Sequence, residues 1–153
     1  MVDAGLPAVC LAPNGDPGRA EIWRTWQDFS RRHNWPIVPS VERRIFLRLI
    51  HDAVALVGNS SAGMVESAAV QAAVLNVGPR QTGREHSANV VDVSADRAAV
   101  SSALRRLQTD AAWARSLRSA PCVFGDGWAS QRIAEILASM KLSVESRIKL
   151  NEY

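Results

Sequence analysis

The sequence predicts an α/β fold in which helices cover both faces of a parallel sheet, the doubly wound arrangement. Short apolar stretches of strand length alternate with longer amphipathic stretches of helical period along the 153 residues. The most apolar short stretch, residues 54–57, shows no alternation with polar residues, which is typical of a strand buried on both faces. The length suits one domain. We expect this domain to occupy residues 1–142, with a charged tail at 143–153.

The predicted elements follow one another in a regular order. Each predicted strand is short and leads into a turn rich in glycine, proline or polar residues. The first helix carries Ile22, Trp23, Trp26 and Phe29 on one face, and we expect this face to pack in the core or at an interface rather than to bind a ligand. The predicted strands are 8–12, 35–38, 54–57, 73–77 and 89–93, and the predicted helices are 18–34, 41–52, 63–71, 95–109, a short one around Trp113, and 130–141.

Composition and charge exclude several classes of partner. The formal net charge is +3, and all 18 basic residues except Lys141 and Lys149 are arginines, scattered rather than gathered into a basic tract. We therefore expect no nucleic-acid partner. No apolar run approaches the ~18 residues of a membrane span, so we expect no membrane partner. Cys10 and Cys122 fit no metal-ligand spacing, so we expect no metal. Two thiols without a recognisable secretory signal are typical of reduced residues, so we expect a cytoplasmic protein. We expect no cofactor.

The turn after the third predicted strand has the composition of an anion site. Residues 58–61, here called the serine turn, join this strand to the helix predicted at 63–71. The first N–H groups of a helix lack internal partners and the helix dipole favours an anion there, so Ser60 and Ser61 are candidate phosphate ligands. Glu66, about one turn into the predicted helix, can lean back towards the turn and suits a ribose diol. The alternative is that a serine only caps the helix and Glu66 only complements its dipole. The spacing alone does not decide between the two.

Three polar loops follow predicted strands and so belong to one edge of the sheet. They are the loop 13–18, here called the first loop, which carries Asn14; the serine turn; and residues 78–86, here called the arginine loop. Ligands of parallel α/β sheets bind at the carboxyl ends of the strands. Arg80 and Arg84 supply positive charge suited to a diphosphate. For Arg84 the alternative is a surface ion pair with Glu85 or Asp92.

Five motifs in order resemble one protein family, the UDP-N-acetylglucosamine 2-epimerases. The resemblance covers residues 8–138, and the run Arg80-Gln-Thr-Gly-Arg-Glu85 is closer to the hydrolysing branch, which yields free N-acetylmannosamine for sialic acid or related sugars. The other motifs are Pro13-Asn-Gly-Asp-Pro-Gly18, Gly58-Asn-Ser-Ser-Ala-Gly-Met-Val-Glu66, Asn89-Val-Val-Asp-Val93 and Phe124-Gly-Asp-Gly-Trp-Ala-Ser130.

The resemblance implies a fold, a ligand and a set of contacts. Members of that family have two Rossmann-like domains in a GT-B-like arrangement, and this chain corresponds to the second, nucleotide-binding domain without its first strand. The implied ligand is UDP or UDP-N-acetylglucosamine, and the implied partners are the missing N-terminal epimerase domain and a second copy in a homo-oligomer. By motif position, Ser60 and Ser61 hold the diphosphate, Glu66 the ribose hydroxyls and Arg80 the phosphates, Asn14 lines the cleft, and Val41 (through its backbone) and Phe46 contact the uracil.

The chain departs from the family pattern in two ways. The family has Gly-x-Pro before the fourth strand, where this chain has Gln71-Ala-Ala73. The catalytic carboxylates and a catalytic histidine of the family precede the part represented here, so no catalytic residue is assigned. Two functions stay open at this point: the UDP-binding part of a hydrolysing 2-epimerase, and a non-catalytic UDP or UDP-sugar binding module or remnant.

Overall fold

The computed structural model describes residues 1–140. The predicted charged tail at 143–153 and the last residue of the predicted helix 130–141 lie outside the described residues. The chain divides into two compact units, one spanning Met1–Val123 and a second that begins at Phe124. Each unit is described by itself.

The first unit contains all five predicted strands, with helices between them. The alternation of apolar and amphipathic stretches was therefore assigned correctly, although the strands are shorter than predicted. Helix α3 is much shorter than the predicted helix 63–71. The elements are β1 (Cys10–Leu11), α1 (Arg19–His33), β2 (Ile37–Val38), α2 (Arg43–Asp52), β3 (Leu56–Gly58), α3 (Glu66–Ala69), β4 (Val74–Val77), β5 (Val90–Val93), α4 (Arg97–Thr109) and α5 (Ala111–Arg118).

The strands are parallel, as predicted, but they form two sheets rather than one. Strand β1 pairs with β2 through Cys10 and Ile37, and β3, β4 and β5 form a second sheet in that order. Within residues 1–140 no ladder joins β1 to β3. Both residues of β1 and both of β2 are partly exposed. The two-stranded sheet therefore buries little surface.

The sheet β3–β5 is packed on both faces, which agrees with a doubly wound arrangement. Alternate residues of a strand point to opposite faces. Leu75 in β4 packs with Leu104 of α4 and Leu117 of α5, and all three are buried. Val74, the preceding residue in β4, packs instead with Met64, which lies just before α3. The core of the unit is thus centred on β4.

The N-terminal residues dock on helix α4. Met1, Ala4 and Leu6 pack against the core cluster that contains Leu104. Asp3 accepts hydrogen bonds from Arg97 at 2.6 Å (Nε) and 2.5 Å (Nη2). The hydrogen bonds from this guanidinium hold the pKa of Asp3 at about 2, below its usual value.

The aromatic face of helix α1 is not a core surface. No residue of α1 is buried, Ile22 is 44% exposed and Phe29 42% exposed, and Trp23 and Trp26 are partly exposed. The expectation that this face packs in the core is therefore wrong for the described residues. That this face of α1 forms an interface stays a prediction.

The turn before β4 keeps a left-handed residue although the glycine of the family pattern is absent. Gln71 has a φ of 54°, a conformation that glycine adopts freely and that other residues adopt at a cost. The N–H groups of Gln71 and Ala72 donate to the carbonyls of Ala68 and Ser67, and Ala72 leads directly into β4. The geometry is thus maintained by the surrounding hydrogen bonds and not by the residue type.

The second unit contains helix α6 (Ala129–Ser139) after a glycine-rich turn. Asp126 accepts hydrogen bonds from the N–H of Trp128 at 3.1 Å and from Arg132 at 2.9 Å and 2.5 Å, and the Arg132 guanidinium lowers the pKa of Asp126. Within residues 1–140, no helix has both the length and the hydropathy to cross a bilayer.

Candidate functional site

The serine turn is a tight polar connection that requires glycine at its start. Gly58 has a φ of 154°, which side-chain-bearing residues rarely adopt. A 3₁₀ turn then covers Ser61–Gly63, and the Ser60 hydroxyl oxygen accepts from the N–H of Ala62 at 3.4 Å. The Ser60 hydroxyl therefore caps this 3₁₀ turn and not helix α3, and both serines remain exposed.

Glu66 is the first residue of α3 rather than a residue one turn into a longer helix. The predicted helix 63–71 is wrong in this respect, because the chain forms the 3₁₀ turn first and α3 has only four residues. Within residues 1–140 the partly buried Glu66 carboxylate makes no hydrogen bond or ion pair. Gly63 lies close to the sheet, since an added Cβ there would be 3.0 Å from Cγ1 of Val74.

Arg80 connects the arginine loop to the first loop. It lies in a 3₁₀ turn at Pro79–Gln81, directly after β4, and its guanidinium pairs with the carboxylate of Asp16. Both side chains are about half exposed. This contact joins loops that follow strands of the two different sheets, which brings Arg80 to the same edge as the loop that carries Asn14.

Gln81 connects the arginine loop to the serine turn. Its side-chain Nε2 donates to the carbonyl of Asn59 at 2.7 Å, and the residue is only 5% exposed. The predicted convergence of the three loops is therefore present in the structure. Sequence reasoning did not select Gln81, and its only sequence signal is its place next to Arg80.

Asn14 and Arg84 are exposed and make no side-chain hydrogen bond with residues 1–140. The ion pair of Arg84 with Glu85 or Asp92, which was the alternative interpretation, does not form among these residues. Asp92 instead accepts from Nδ2 of Asn76 at 2.7 Å. Arg84 thus stays a candidate cation at this edge.

Val41 and Phe46 line an open depression of about 400 Å³ at the carboxyl ends of β1 and β2. Both residues are partly buried. The depression combines an aromatic ring with backbone and hydroxyl groups, which is a suitable lining for a flat heterocycle with polar edges. Its other lining residues are Leu11, Ala12, Val38, Pro39, Ser40 and Arg43.

The described residues contain no cluster of side chains suited to binding a metal ion. Within residues 1–140, no group of three or more His, Cys, Asp and Glu side chains is arranged to hold one. Cys10 and Cys122 are free thiols, and burial raises the pKa of Cys10, which disfavours the thiolate that a metal would need.

Parallel α/β domains with polar turns gathered at the carboxyl ends of their strands form a class that binds ligands at that edge. Comparison with known proteins makes the assignment specific. The family model described as UDP-N-acetylglucosamine 2-epimerase matches residues 2–138. The chain belongs to this family, which confirms the resemblance drawn from its motifs.

Two curated relatives are similar to the chain over part of their length. One is a UDP-N,N'-diacetylbacillosamine 2-epimerase (hydrolyzing) of Legionella pneumophila, 32% identical over 148 residues, which are 97% of this chain and 38% of that protein. The other is polysialic acid biosynthesis protein P7 of Escherichia coli, 30% identical over 92 residues, which are 60% of this chain and 24% of that protein. The chain therefore spans well under half the length of either relative.

Proposed function

We propose that the chain binds the UDP moiety of a UDP-sugar and is the nucleotide-binding part of a hydrolysing UDP-N-acetylglucosamine 2-epimerase. The observation that carries this proposal is the meeting of three polar loops, which follow the carboxyl ends of strands in the two sheets. Arg80 contacts Asp16 of the first loop, and Gln81 contacts Asn59 of the serine turn. Membership of the epimerase family supports the choice of UDP over other anionic ligands.

The diphosphate is assigned to the serine turn and the arginine loop. Ser60 and Ser61 are exposed hydroxyl donors that follow a glycine-dependent bend. Arg80 is held at this edge by a half-exposed ion pair, and such pairs contribute only about 0–1 kcal/mol. A diphosphate carries more charge than the Asp16 carboxylate, so it can displace Asp16 as the partner of Arg80. Arg84 is a possible second cation.

The nucleoside is assigned to the surface beside these loops. The depression lined by Val41 and Phe46 presents an aromatic ring to which we assign the uracil, with Val41 acting through its backbone. Glu66 accepts from the ribose hydroxyls, since its carboxylate is unengaged among residues 1–140. Asn14, exposed in the first loop, lines the cleft.

The reaction assigned to the complete enzyme is elimination of UDP from the sugar to leave a glycal, followed by addition of water with inversion at C2. In this scheme the chain anchors the leaving UDP and stabilises the negative charge that develops on it. The catalytic groups come from an N-terminal epimerase domain beyond the part of the relatives that this chain spans. We place this chemistry in the cytoplasm.

A further strand is assigned to the break between the two sheets. Strand β1 and strand β3 are each at an edge, and an edge of a parallel sheet presents unpaired N–H and C=O groups. One parallel strand inserted between them would join the two sheets into one. The resemblance calls for a first strand inside the sheet, and we assign it to this break.

Titration calorimetry of the purified chain with UDP, AMP and NAD tests the nucleotide assignment. We expect UDP to bind in preference to both others, and weakly, because part of the proposed cleft is contributed from outside this chain. A Phe46→Ala variant should lose this preference, whereas Phe29→Ala, on the exposed face of α1, should retain it. Equal or absent heats with all three nucleotides would contradict the proposal.

A further inference from the structure

Gln81 is a buried amide with exposed neighbours on both sides in the arginine loop. The residue is 5% exposed, while Arg80 before it and residues 82–85 after it are all exposed. Its Oε1 atom is buried and has no hydrogen-bond partner among residues 1–140. An unpaired buried amide oxygen is unfavourable. An apolar side chain of similar length would avoid this penalty, so the presence of an amide here calls for a reason.

The bond that Gln81 makes fixes the orientation of the peptide that leads into the two serines. Nε2 of Gln81 donates to the carbonyl oxygen of Asn59 at 2.7 Å. That carbonyl belongs to the same planar trans peptide unit as the N–H of Ser60, and in such a unit the two groups point in opposite directions. Holding the Asn59 carbonyl against the protein therefore turns the Ser60 N–H away from Gln81.

We propose that Gln81 is a positioning residue for the diphosphate, which acts by directing the Ser60 N–H and the serine turn towards the ligand. The inference rests on the proposed function, because it presumes that UDP binds at this turn. It assigns Gln81 no contact with the ligand. The amide acts through Asn59, and the same 3₁₀ turn that buries Gln81 presents Arg80 on the outside.

Two variants separate this role from a purely structural one. Gln81→Met keeps the length of the side chain and removes both polar atoms, whereas Gln81→Glu keeps the shape and places a carboxylate oxygen against the Asn59 carbonyl. Asn89→Ala is the matched control. Asn89 is also a buried amide with an unpaired oxygen, but it bonds Ser67 and the carbonyl of Ala72 and lies at the amino end of β5.

A thermal melt of one sample first establishes that each variant is folded. Titration calorimetry of a fresh sample then measures its affinity for UDP and for uridine. We expect both Gln81 variants to bind UDP roughly tenfold more weakly and to bind uridine within about twofold of the original chain. Asn89→Ala should melt at a lower temperature and keep the original ratio of UDP to uridine affinity. If the ratio of UDP affinity to uridine affinity falls in the Gln81 variants but not in Asn89→Ala, Gln81 has a role in holding the diphosphate.

The outcomes that overturn the inference are distinct from those that overturn the proposed function. If the original chain binds UDP and the Gln81 variants keep its ratio of affinities, Gln81 has no positioning role. The same conclusion follows if both Gln81 variants fail to fold while Asn89→Ala folds, because Gln81 is then a structural residue. If the original chain does not bind UDP, the proposed function fails and the inference fails with it.

Discussion

Replacement of Glu66 by alanine separates the two interpretations of this residue. If its carboxylate accepts hydrogen bonds from the ribose, the loss of a charged hydrogen-bond partner should weaken UDP binding by about 1–3 kcal/mol, or roughly fivefold to 150-fold. If Glu66 only complements a helix dipole, UDP affinity should not change. The contribution of Glu66 to stability through the helix dipole should be small, because α3 has only four residues and no side-chain cap. A stability loss of no more than a few tenths of a kcal/mol is therefore expected.

The assay compares UDP with 2′-deoxy-UDP, which lacks one of the hydroxyls assigned to Glu66. The original chain should prefer UDP, and the Glu66→Ala chain should have lost most of this preference. Glu21→Ala is the control, because Glu21 is also an acid in the first turn of a helix, but α1 has fifteen residues. Glu21→Ala should reduce stability by about 0.3–1 kcal/mol and leave both affinities unchanged.

The prediction fails if Glu66→Ala weakens UDP and 2′-deoxy-UDP by the same factor, since the carboxylate would then act on something other than the 2′-hydroxyl. It also fails if neither affinity changes while the melting temperature falls as much as in Glu21→Ala. In that case Glu66 is an ordinary first-turn acid and the ribose assignment is wrong.

Four further predictions follow from the same structure. Arg80→Ala should weaken UDP binding roughly tenfold in a calorimetric titration. Asp16→Asn should strengthen UDP binding in the same titration, because it frees Arg80. Weaker UDP binding by Asp16→Asn would contradict the replacement of Asp16 by the diphosphate as the partner of Arg80. Because the pKa of Asp3 is depressed to about 2, its stabilising contribution is present above about pH 4 and disappears as the pH falls through about 2. Asp3→Asn should therefore lower the melting temperature at pH 7, and its effect should be much smaller at pH 2. Gln71→Gly should raise stability by about 0.5–1 kcal/mol in a urea titration by relieving the positive φ, with a smaller gain for Asn34→Gly, because asparagine tolerates that conformation. The open edges of β1 and β3 should cause self-association, and a single monomeric species over a hundredfold concentration range in sedimentation would contradict this.

The order and type of the elements were predictable because they depend on local periodicity. Five apolar stretches became five parallel strands, and three predicted loops follow the carboxyl ends of β1, β3 and β4. The approach of the arginine loop to the serine turn follows from the pairing of β3 with β4, whereas the position of Arg80 beside the first loop depends on how the two sheets are placed.

The features that sequence reasoning missed depend on which segments lie opposite one another. Gln81 is flanked by exposed polar residues, and its burial follows only from the approach of the Asn59 carbonyl. The predicted helix 63–71 is interrupted at Gly63, which lies close to Val74 of β4. Gln71 keeps a glycine-like conformation because hydrogen bonds to Ser67 and Ala68 impose it. Asn59 and Val74 lie far along the chain from Gln81 and Gly63, whereas the hydrogen bonds that fix the turn at Gln71 are local.

The two contacts that gather the loops differ in strength, and this difference divides the candidate site into a fixed part and an exchangeable part. The Arg80–Asp16 pair is half exposed, so solvent and salt screen it and a diphosphate can replace it at little cost. The Gln81–Asn59 bond is made by a buried side chain and is therefore less open to competing water than the Arg80–Asp16 pair. Binding should therefore leave the serine turn in place and move the Arg80 guanidinium. The turn would already be oriented before the ligand arrives, while the cation changes its partner from a carboxylate to a phosphate.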